Sequence, residues 1–370
     1  MDWKTIYRVA ATAVACVLGA GFVSGQEMWQ FFASFGKIGI VGLAISVLLF
    51  CGATAVIVWY AGEIKAKDME MMVASGHHRA VKWSVTAFEL TLHYVFYVLM
   101  TAGTGALGEY FGLPIWVGSV LFCVVCTAVS MLGIKKLAKV FGWLVPILTV
   151  AAIAVAIRSL FLPADAIPDT HPSATRLTAN WFISAVIYFC FNFVGSVPLL
   201  VGVVRGEKAK GAAFGALLAL LPLGGLAFCL LIAVMAHQGS AAHHLPMMEL
   251  AAACGPVWRY LYGILLLGGI FSTGFSSQGA LNDYFGLFGF KKKWVLLLSV
   301  ALSGVAFAIA LFGFKDLVGA IYPILGYIGF VPITVIVVRA LIHFIRKHKT
   351  PKQDLPVQDP EQTDPAIEND

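Results

Sequence analysis

The chain has 370 residues, of which 60% are hydrophobic and only 12% are charged, and its net charge is +6. Soluble domains carry about a quarter charged residues, so this composition, with a mean hydropathy of +0.88, excludes an ordinary soluble domain. The sequence contains no Walker A motif and no metalloprotease or hydrolase signature, so we expect neither an ATPase nor an enzyme.

Apolar stretches of about 20 residues, each long enough to cross the hydrocarbon core of a bilayer, recur along the chain. We therefore predict an all-α integral membrane protein with ten spans. Their approximate bounds are 5–33, 38–62, 84–108, 114–133, 138–161, 178–204, 211–236, 256–284, 294–313 and 317–344. The transmembrane domain then covers 1–345, and the polar segment 346–370 is predicted to be a disordered tail.

The Lys and Arg residues are divided unequally between the loops on the two sides. Twenty of the 25 fall in one set of loops and five in the other. The smaller set is Lys37, Arg158, Arg176, Arg259 and Lys315. Because cytoplasmic loops carry the excess of positive charge, the larger set is predicted to be cytoplasmic, with both termini inside. The positive net charge thus reports topology, and we infer no binding of nucleic acid from it.

The first span is interrupted by a glycine-rich segment at 19–25, GAGFVSG. Where a helix stops, its last carbonyls and the next amides lose their intrahelical partners, and the amide end suits a carboxylate. Glycines leave room for a ligand to approach this backbone. The alternative is a helix-packing site built from small residues. The candidate substrate-binding residues are Gly19, Ala20, Gly21, Phe22 and Ser24, with the amides of Ala20, Gly21 and Phe22 as carboxylate donors.

The third span carries Glu89 and His93, four residues apart, with Tyr97 one turn further along and all three predicted to face the same way. Ionisable groups inside a membrane are costly and mostly functional, so Glu89 and His93 are candidates to pair with each other, to relay a proton or to contact a cationic substrate. The alternative is a structural pair at the cytoplasmic interface, because Lys82 marks the inner end of the span.

The sixth span contains a second interruption at 192–198, NFVGSVP. Pro198 lacks an amide hydrogen and frees a carbonyl one turn earlier, so we predict a discontinuous helix here as well. The alternative is a proline kink whose freed groups are satisfied by neighbouring helices. The candidate substrate-binding residues of this span are Tyr188, Asn192, Gly195 and Ser196.

The eighth span holds Thr273, Ser276 and Ser277, which share one helix face. Oxygen atoms from that face, together with carbonyls from a broken helix, would form a hard-ligand site for a small cation such as Na⁺. The alternative is that the hydroxyls bond back to their own helix, as is common in membrane spans.

Ten spans divide into two groups of five, at about 5–161 and 178–344, and each group opens with an interrupted helix. Because five is odd, the second group starts from the opposite side of the membrane. This arrangement is expected of transporters built from inverted repeats, with the binding site at the broken helices.

Three features carry a family resemblance: GAGFVSGQE at 19–27, the early break in the sixth span, and TGFSS at 273–277. With them, about residues 5–344 resemble the amino acid–polyamine–organocation superfamily with the LeuT-type fold. Within that group the chain resembles the bacterial YkvI-like membrane proteins. In similar transporters a Gly-x-Gly turn in the first span holds the substrate carboxylate. Similar transporters also have a substrate-facing aromatic residue, for which Tyr94 and Tyr97 are the candidates here.

The resemblance also implies a Na⁺ site. Its ligands would be the carbonyls of Ala15, Leu18 and Thr273 and the hydroxyls of Ser276 and Ser277. Some superfamily members replace this Na⁺ with a lysine of the fifth span, but residues 140–150 contain no lysine. The chain therefore departs from that proton-coupled variant.

The predicted function is secondary transport of an amino acid or similar small carboxylated solute, in symport with Na⁺. One alternative is an amino-acid-sensing receptor subunit of the same fold without net transport, and another is a proton-coupled transporter that uses Glu89 and His93. The predicted location is a bacterial plasma membrane, and the expected partners are the lipid bilayer and a small-molecule substrate. No cofactor is expected besides Na⁺ as a coupling ion, and the sequence leaves the oligomeric state open.

Overall fold

The structure is a computed structural model that describes residues 3–17, 19–74, 79–131, 134–163, 176–204 and 209–349. Regular structure in these ranges consists of α-helices and short 3-10 turns, which confirms the predicted all-α class. The helices are α1 (Trp3–Val17), α2 (Ala20–Val23), α3 (Gln26–Phe31), α4 (Ile38–Glu63), α5 (Met69–Val73), α6 (Arg79–Tyr110), α7 (Ile115–Ser130), α8 (Ile134–Ser159), α9 (Trp181–Val204), α10 (Ala209–Leu218), α11 (Leu220–Ala236), α12 (Pro246–Ala253), α13 (Pro256–Leu287), α14 (Lys292–Ala310) and α15 (Phe314–Lys349).

Seven helical stretches of the described residues are long and apolar enough to cross a membrane. They are α4, α6, α9, the stretch 214–236 formed by α10 and α11, α13, α14 and α15. The other three predicted spans correspond to the interrupted segment α1–α3, the 16-residue α7, and α8. In a membrane-spanning helix the backbone groups form hydrogen bonds within the helix, as a lipid environment requires. With several such apolar helices, the protein is a multi-pass membrane protein.

The predicted interruption of the first span is confirmed. Helix α1 ends at Val17, α2 spans only Ala20–Val23, and α3 begins at Gln26. Between α2 and α3 the backbone turns at Gly25, whose φ of 81° lies in the left-handed region that favours glycine. Glycine thus permits a sharp turn here that a residue with a Cβ adopts only with strain.

The predicted interruption of the sixth span is wrong, because α9 continues as one helix from Trp181 to Val204 with Pro198 inside it. Two local bonds engage carbonyls in this stretch. The Asn192 amide nitrogen donates to the Tyr188 carbonyl at 3.2 Å, and the Ser196 hydroxyl donates to the Asn192 carbonyl at 2.8 Å. Proline removes a single helical hydrogen bond, and this helix retains the others.

The spans pack in two groups. In the first group, α9 packs against α4 and α1, and α10 packs against the same two helices. In the second group, α6 packs against α13, α7 and α14, and α13 also contacts α7. Helix α8 joins α13 and α11, while α15 packs on α9 and also touches α6. The candidate functional site lies between the two groups.

The pairing of helices has the form that two inverted repeats would produce. In two repeats of five spans, the first span corresponds to the sixth and the second to the seventh. The contact of α1 with α10 therefore has its counterpart in the contact of α9 with α4. Likewise the third span corresponds to the eighth and the fourth to the ninth, so the contact of α6 with α14 has its counterpart in that of α13 with α7. All four contacts are present. The arrangement of five plus five spans itself stays a prediction.

Hydrogen bonds between side chains link the helices of the second group. The Tyr97 hydroxyl of α6 lies 2.7 Å from the Ser303 hydroxyl of α14, which also lies 2.9 Å from the hydroxyl of Thr127 on α7. On α13, Asn282 accepts a hydrogen bond from the Ser299 hydroxyl at 2.6 Å. Bonds between helices in an apolar surrounding favour one packing arrangement, and these bonds tie α6, α7, α13 and α14 to one another.

Candidate substrate and cation site

A central cavity of about 460 Å³ separates the two groups of helices. Its size falls within the range of about 300–1,000 Å³ that is typical of small-molecule sites. One wall comes from the interrupted first span and α9, and the other from α6 and α13, with Tyr322 of α15 between them. The cavity therefore lies where the sequence places the candidate binding residues, although the sixth span is unbroken.

The first break borders the cavity through Gly19 and Gly21. The Gly19 amide donates to the Val17 carbonyl at 2.8 Å, and the Val23 amide donates to the Gly19 carbonyl at 3.2 Å. No heavy atom of the described residues lies within 4 Å of the position that a Cβ on Gly19 would take. The backbone at Gly19 is thus open to a ligand. Helix α2 includes Ala20, whose side chain lies outside the described part of the chain.

The turn that follows α2 is bonded to protein rather than open to a ligand. The Ser24 hydroxyl donates to the Gly21 carbonyl at 2.6 Å and accepts from the Gln26 amide at 3.2 Å. The Met247 amide donates to the Ser24 carbonyl at 2.9 Å, and the Tyr262 hydroxyl donates to the Val23 carbonyl. Ser24 therefore shapes the turn and does not line the cavity, contrary to its predicted place in the substrate site.

Helix α13 presents the predicted hydroxyl face to the cavity, with Thr273, Ser276 and Ser277 all in its wall. The Thr273 hydroxyl donates to the Gly269 carbonyl at 3.2 Å, and the Ser276 hydroxyl donates to the Ser272 carbonyl at 2.9 Å. Such back-bonding uses the hydroxyl hydrogen and leaves the oxygen lone pairs free to accept. The bonds expected of the structural alternative are present, and they are compatible with cation binding.

Of the two predicted Na⁺ ligands in the first span, the structure describes only the backbone of Ala15. Ala15 lies in α1, but its side chain is outside the described part, and Leu18 lies outside the described residues altogether. Their neighbours Val17 and Gly19 line the same cavity as the α13 hydroxyls. The end of α1 and the hydroxyl face of α13 therefore line the same central cavity.

Helix α6 contributes Glu89 and His93 to the cavity, next to Tyr284 of α13. The Tyr284 hydroxyl donates a hydrogen bond to the Glu89 carboxylate. Tyr97 does not share their direction, because each step of four residues turns about 40° beyond a full helical turn. Tyr97 is buried against Ser303, and the Tyr94 hydroxyl donates to the Leu302 carbonyl at 3.1 Å. Neither tyrosine lines the cavity, so the prediction of a common face holds only for Glu89 and His93.

Helix α9 contributes Asn192 and Gly195 to the wall. Ser196 is buried and bonded to the Asn192 carbonyl, so it does not face the cavity. Tyr188 and Phe22 instead border a separate void of about 20 Å³. Both residues lie in the packing behind the cavity wall, outside the predicted substrate contact.

Glu27 is the ionisable residue of the cavity wall that was missing from the predicted site residues. Its side chain is 4% exposed and lines the cavity, and its Oε2 accepts a hydrogen bond from the Tyr188 hydroxyl at 3.2 Å. Oε1 lies 2.5 Å from the position of a Cβ on Gly21, and the Tyr322 hydroxyl lies 2.7 Å from that position. The signal in the sequence was an ionisable residue two positions after the glycine segment of an apolar span.

Of the residues that line the cavity, Gly21, Glu27 and Tyr322 are buried, whereas Leu199 and Ser276 are exposed. We call the part near Leu199 and Ser276 the open end of the cavity. Among the described residues, those that line the cavity include the carboxyl groups of Glu27 and Glu89 and the imidazole of His93 but no Lys or Arg. In their ionised form the two carboxylates favour a cation in the cavity over an anion.

The architecture is the LeuT-type fold of known transport proteins. MhsT in complex with L-phenylalanine matches with a TM-score of 0.59 at 14% identity, over 90% of this chain and 86% of MhsT. Inward-facing Mhp1 matches with a TM-score of 0.60 at 15% identity, over 90% of this chain and 75% of Mhp1. A manganese transporter from Eremococcus coleocola, the H236A mutant, matches with a TM-score of 0.52 at 14% identity, over 96% and 90%.

Two proteins of Bacillus subtilis (strain 168) are similar in sequence over nearly their whole length. The uncharacterized protein YyaD is 24% identical over 340 residues, which cover 89% of this chain and 95% of YyaD. The uncharacterized membrane protein YkvI is 23% identical over 338 residues, which cover 87% and 92%. No family model matches the chain. The predicted resemblance to YkvI and to the LeuT-type fold is thereby confirmed.

Proposed function

We propose that the protein is a secondary transporter that carries a small amino acid across a bacterial plasma membrane in symport with Na⁺. One observation carries this proposal: the broken first span and the hydroxyl face of α13 line the same cavity, between two separately packed groups of helices. Broken helices that meet at such a cavity are the usual site of substrate and coupling ion in transporters of inverted-repeat design.

The proposed Na⁺ lies between the end of α1 and α13. Its ligands are the hydroxyls of Ser276 and Ser277 and the carbonyls of Ala15, Leu18 and Thr273. Ser277 is buried and lines the cavity, and a hydroxyl oxygen in that position has lone pairs for a cation. Oxygen ligands suit a hard ion such as Na⁺, and the described residues of the cavity wall include no Lys or Arg that would oppose a cation.

The proposed substrate lies beside the first break, with its carboxylate on the amides of Ala20, Gly21 and Phe22. The open backbone at Gly19 supports this position. With the orientation that the Lys and Arg distribution predicts, the open end of the cavity faces the cytoplasm and both termini lie inside. The bonds of Tyr262 and Met247 to the turn after α2 then close the outer side, and rocking of the first group against the second exposes the other end.

The test is uptake of radiolabelled amino acids into vesicles that contain the purified full-length protein, with and without an inward Na⁺ gradient. We expect Na⁺-dependent uptake in the wild type. Ser276→Ala and Ser277→Ala are each expected to raise the Na⁺ concentration for half-maximal uptake about tenfold, as for the loss of about 1.4 kcal/mol of binding. Thr334→Val is the control, because its hydroxyl also bonds back, to the Phe330 carbonyl at 2.8 Å, but is exposed on α15 outside the cavity.

Uptake that is indifferent to Na⁺ would overturn the symport proposal. If uptake follows a proton gradient instead and Glu89→Gln abolishes it, the coupling ion is H⁺ and the Glu89–His93 pair is the relay. Binding of an amino acid without any uptake would identify the receptor alternative.

A further inference from the structure

Glu27 is a buried carboxylate in a cavity wall without a positively charged partner. In the described part of the chain, the ion pairs include no contact of Glu27 with Lys or Arg. A carboxylate has about four acceptor positions, and the Tyr188 hydroxyl occupies one of them. Burial of an ion without compensation is costly, so this position requires a cation or a proton from the cavity.

The surroundings of Glu27 suit an organic cation. The ring of Tyr322 stacks on that of Phe191 with 4.0 Å between centroids, and the ring of Phe96 lies 6.1 Å from that of Phe191. All three aromatic residues line the cavity. Aromatic faces attract ammonium groups, most strongly where water is excluded. An ammonium group has three donors, which the Glu27 carboxylate and neighbouring oxygens can accept.

A second cavity of about 360 Å³ is lined by Gln30 of α3 and Gly319 of α15. Gln30 follows Glu27 by three residues, and Gly319 precedes Tyr322 by three. Three residues of helix rise about 4.5 Å, so Glu27 and Tyr322 each lie about one helical turn from a residue that lines this second cavity.

We infer that Glu27 binds the ammonium group of the solute, so that the site selects amines and rejects carboxylic acids that lack an amine. This inference rests on the proposed function and adds the substrate class and the residue that recognises it. The amides at the first break then hold the carboxylate of an amino acid, while Glu27 holds its amine. An amine without a carboxylate keeps the contact with Glu27. An acid without an amine keeps only the contact with the amides, and its carboxylate is repelled by that of Glu27.

The test is ligand-induced thermal stabilisation of the purified full-length protein, which does not depend on transport. The probes are two matched sets: L-phenylalanine, phenethylamine and 3-phenylpropanoate, and L-leucine, 3-methylbutylamine and 4-methylpentanoate. We expect the amino acid and the amine of at least one set to raise the melting temperature, and neither acid to do so. Glu27→Gln is expected to weaken binding of amine-bearing probes about tenfold or more, as for loss of a charged hydrogen bond.

The control variant is Glu109→Gln, whose side chain is exposed at the end of α6, far along the helix from the cavity. It is expected to bind like the wild type. If Glu27→Gln does not yield folded protein, Glu27→Asp keeps the charge but shortens the side chain, and we expect it to weaken amine binding as well. Stabilisation by the acids equal to that by the amines, unchanged amine binding in the Glu27 variants, or no stabilisation by any of the six probes would overturn the inference.

These outcomes are separable from the transport assay. Selective amine binding without uptake would leave the role of Glu27 intact and remove the transport proposal. Uptake of an amino acid with unchanged kinetics in Glu27→Gln would leave transport intact and remove the role of Glu27. If Glu27→Gln abolishes only the pH dependence of uptake and leaves amine binding unchanged, Glu27 carries a proton and the inference fails.

Discussion

Gly21→Ala is expected to lower amino-acid uptake about tenfold or more, whereas Gly19→Ala is expected to keep most of it. A Cβ on Gly21 would lie 2.5 Å from Glu27 Oε1 and 2.7 Å from the Tyr322 hydroxyl. Such distances are shorter than real Cβ contacts, so one side chain has to move. The Glu27 carboxylate is held by Tyr188 and the Tyr322 ring is stacked on Phe191, so either movement disturbs the wall that faces the solute.

The size of this effect follows from the cost of overpacking. Forcing an extra methyl group into a well-packed site costs about 1–3 kcal/mol, and each 1.4 kcal/mol is a factor of ten in binding. Gly19 belongs to the same glycine segment and lines the same cavity, but no described atom lies within 4 Å of its Cβ position. Added volume at Gly19 therefore meets open space rather than a side chain.

The measurement is initial uptake by the two variants and the wild type in vesicles that contain equal amounts of protein. Melting temperatures of the purified proteins show whether a loss of uptake reflects unfolding. Equal uptake by Gly21→Ala and the wild type would mean that the contact of Glu27 and Tyr322 with Gly21 has no role in transport. A larger loss of uptake for Gly19→Ala than for Gly21→Ala would mean that the backbone around Gly19, rather than the contact of Gly21 with Glu27 and Tyr322, is critical for transport.

The sequence predicts the first break because the responsible chemistry is local. Gly25 adopts a left-handed backbone, which selects glycine whatever packs around it. The same local argument fails for the sixth span. A proline inside a helix removes one hydrogen bond, and whether the helix then breaks depends on its neighbours. The carbonyl that Pro198 leaves without its helical donor is that of Val194, and α9 nevertheless continues as one helix to Val204.

The composition of the site is less predictable than the position of the spans. Apolar stretches locate the spans because each must cross the same thickness of lipid. The wall around Glu27, however, joins α3 to Tyr188 of α9 and Tyr322 of α15, which are distant in sequence. Tyr94 and Tyr97 were predicted to contact the substrate because similar transporters have a substrate-facing aromatic residue in this span. Only the packing of α6 against α14 shows that both point elsewhere.

Gly326→Val is expected to destabilise the fold by about 2–3 kcal/mol or more, which is the upper range for overpacking of a core. A Cβ on Gly326 of α15 would lie 2.5 Å from both the carbonyl oxygen and Cγ2 of Ile187 on α9. One turn along, a Cβ on Gly329 would lie 3.1 Å from the Cys190 carbonyl. Small residues let membrane helices approach this closely, and a backbone carbonyl cannot rotate away as a side chain can.

This crossing also positions the functional site, since Tyr322 lies one turn before Gly326 and its ring stacks on Phe191 of α9. Separation of α15 from α9 would withdraw Tyr322 from Glu27, so we expect lower uptake together with a lower melting temperature. Gly304→Val on α14 is the matched control, because Gly304 is exposed and has no described heavy atom within 4 Å of its Cβ position. Equal melting temperatures for the two valine variants in detergent would show that α9 and α15 do not pack as closely as described.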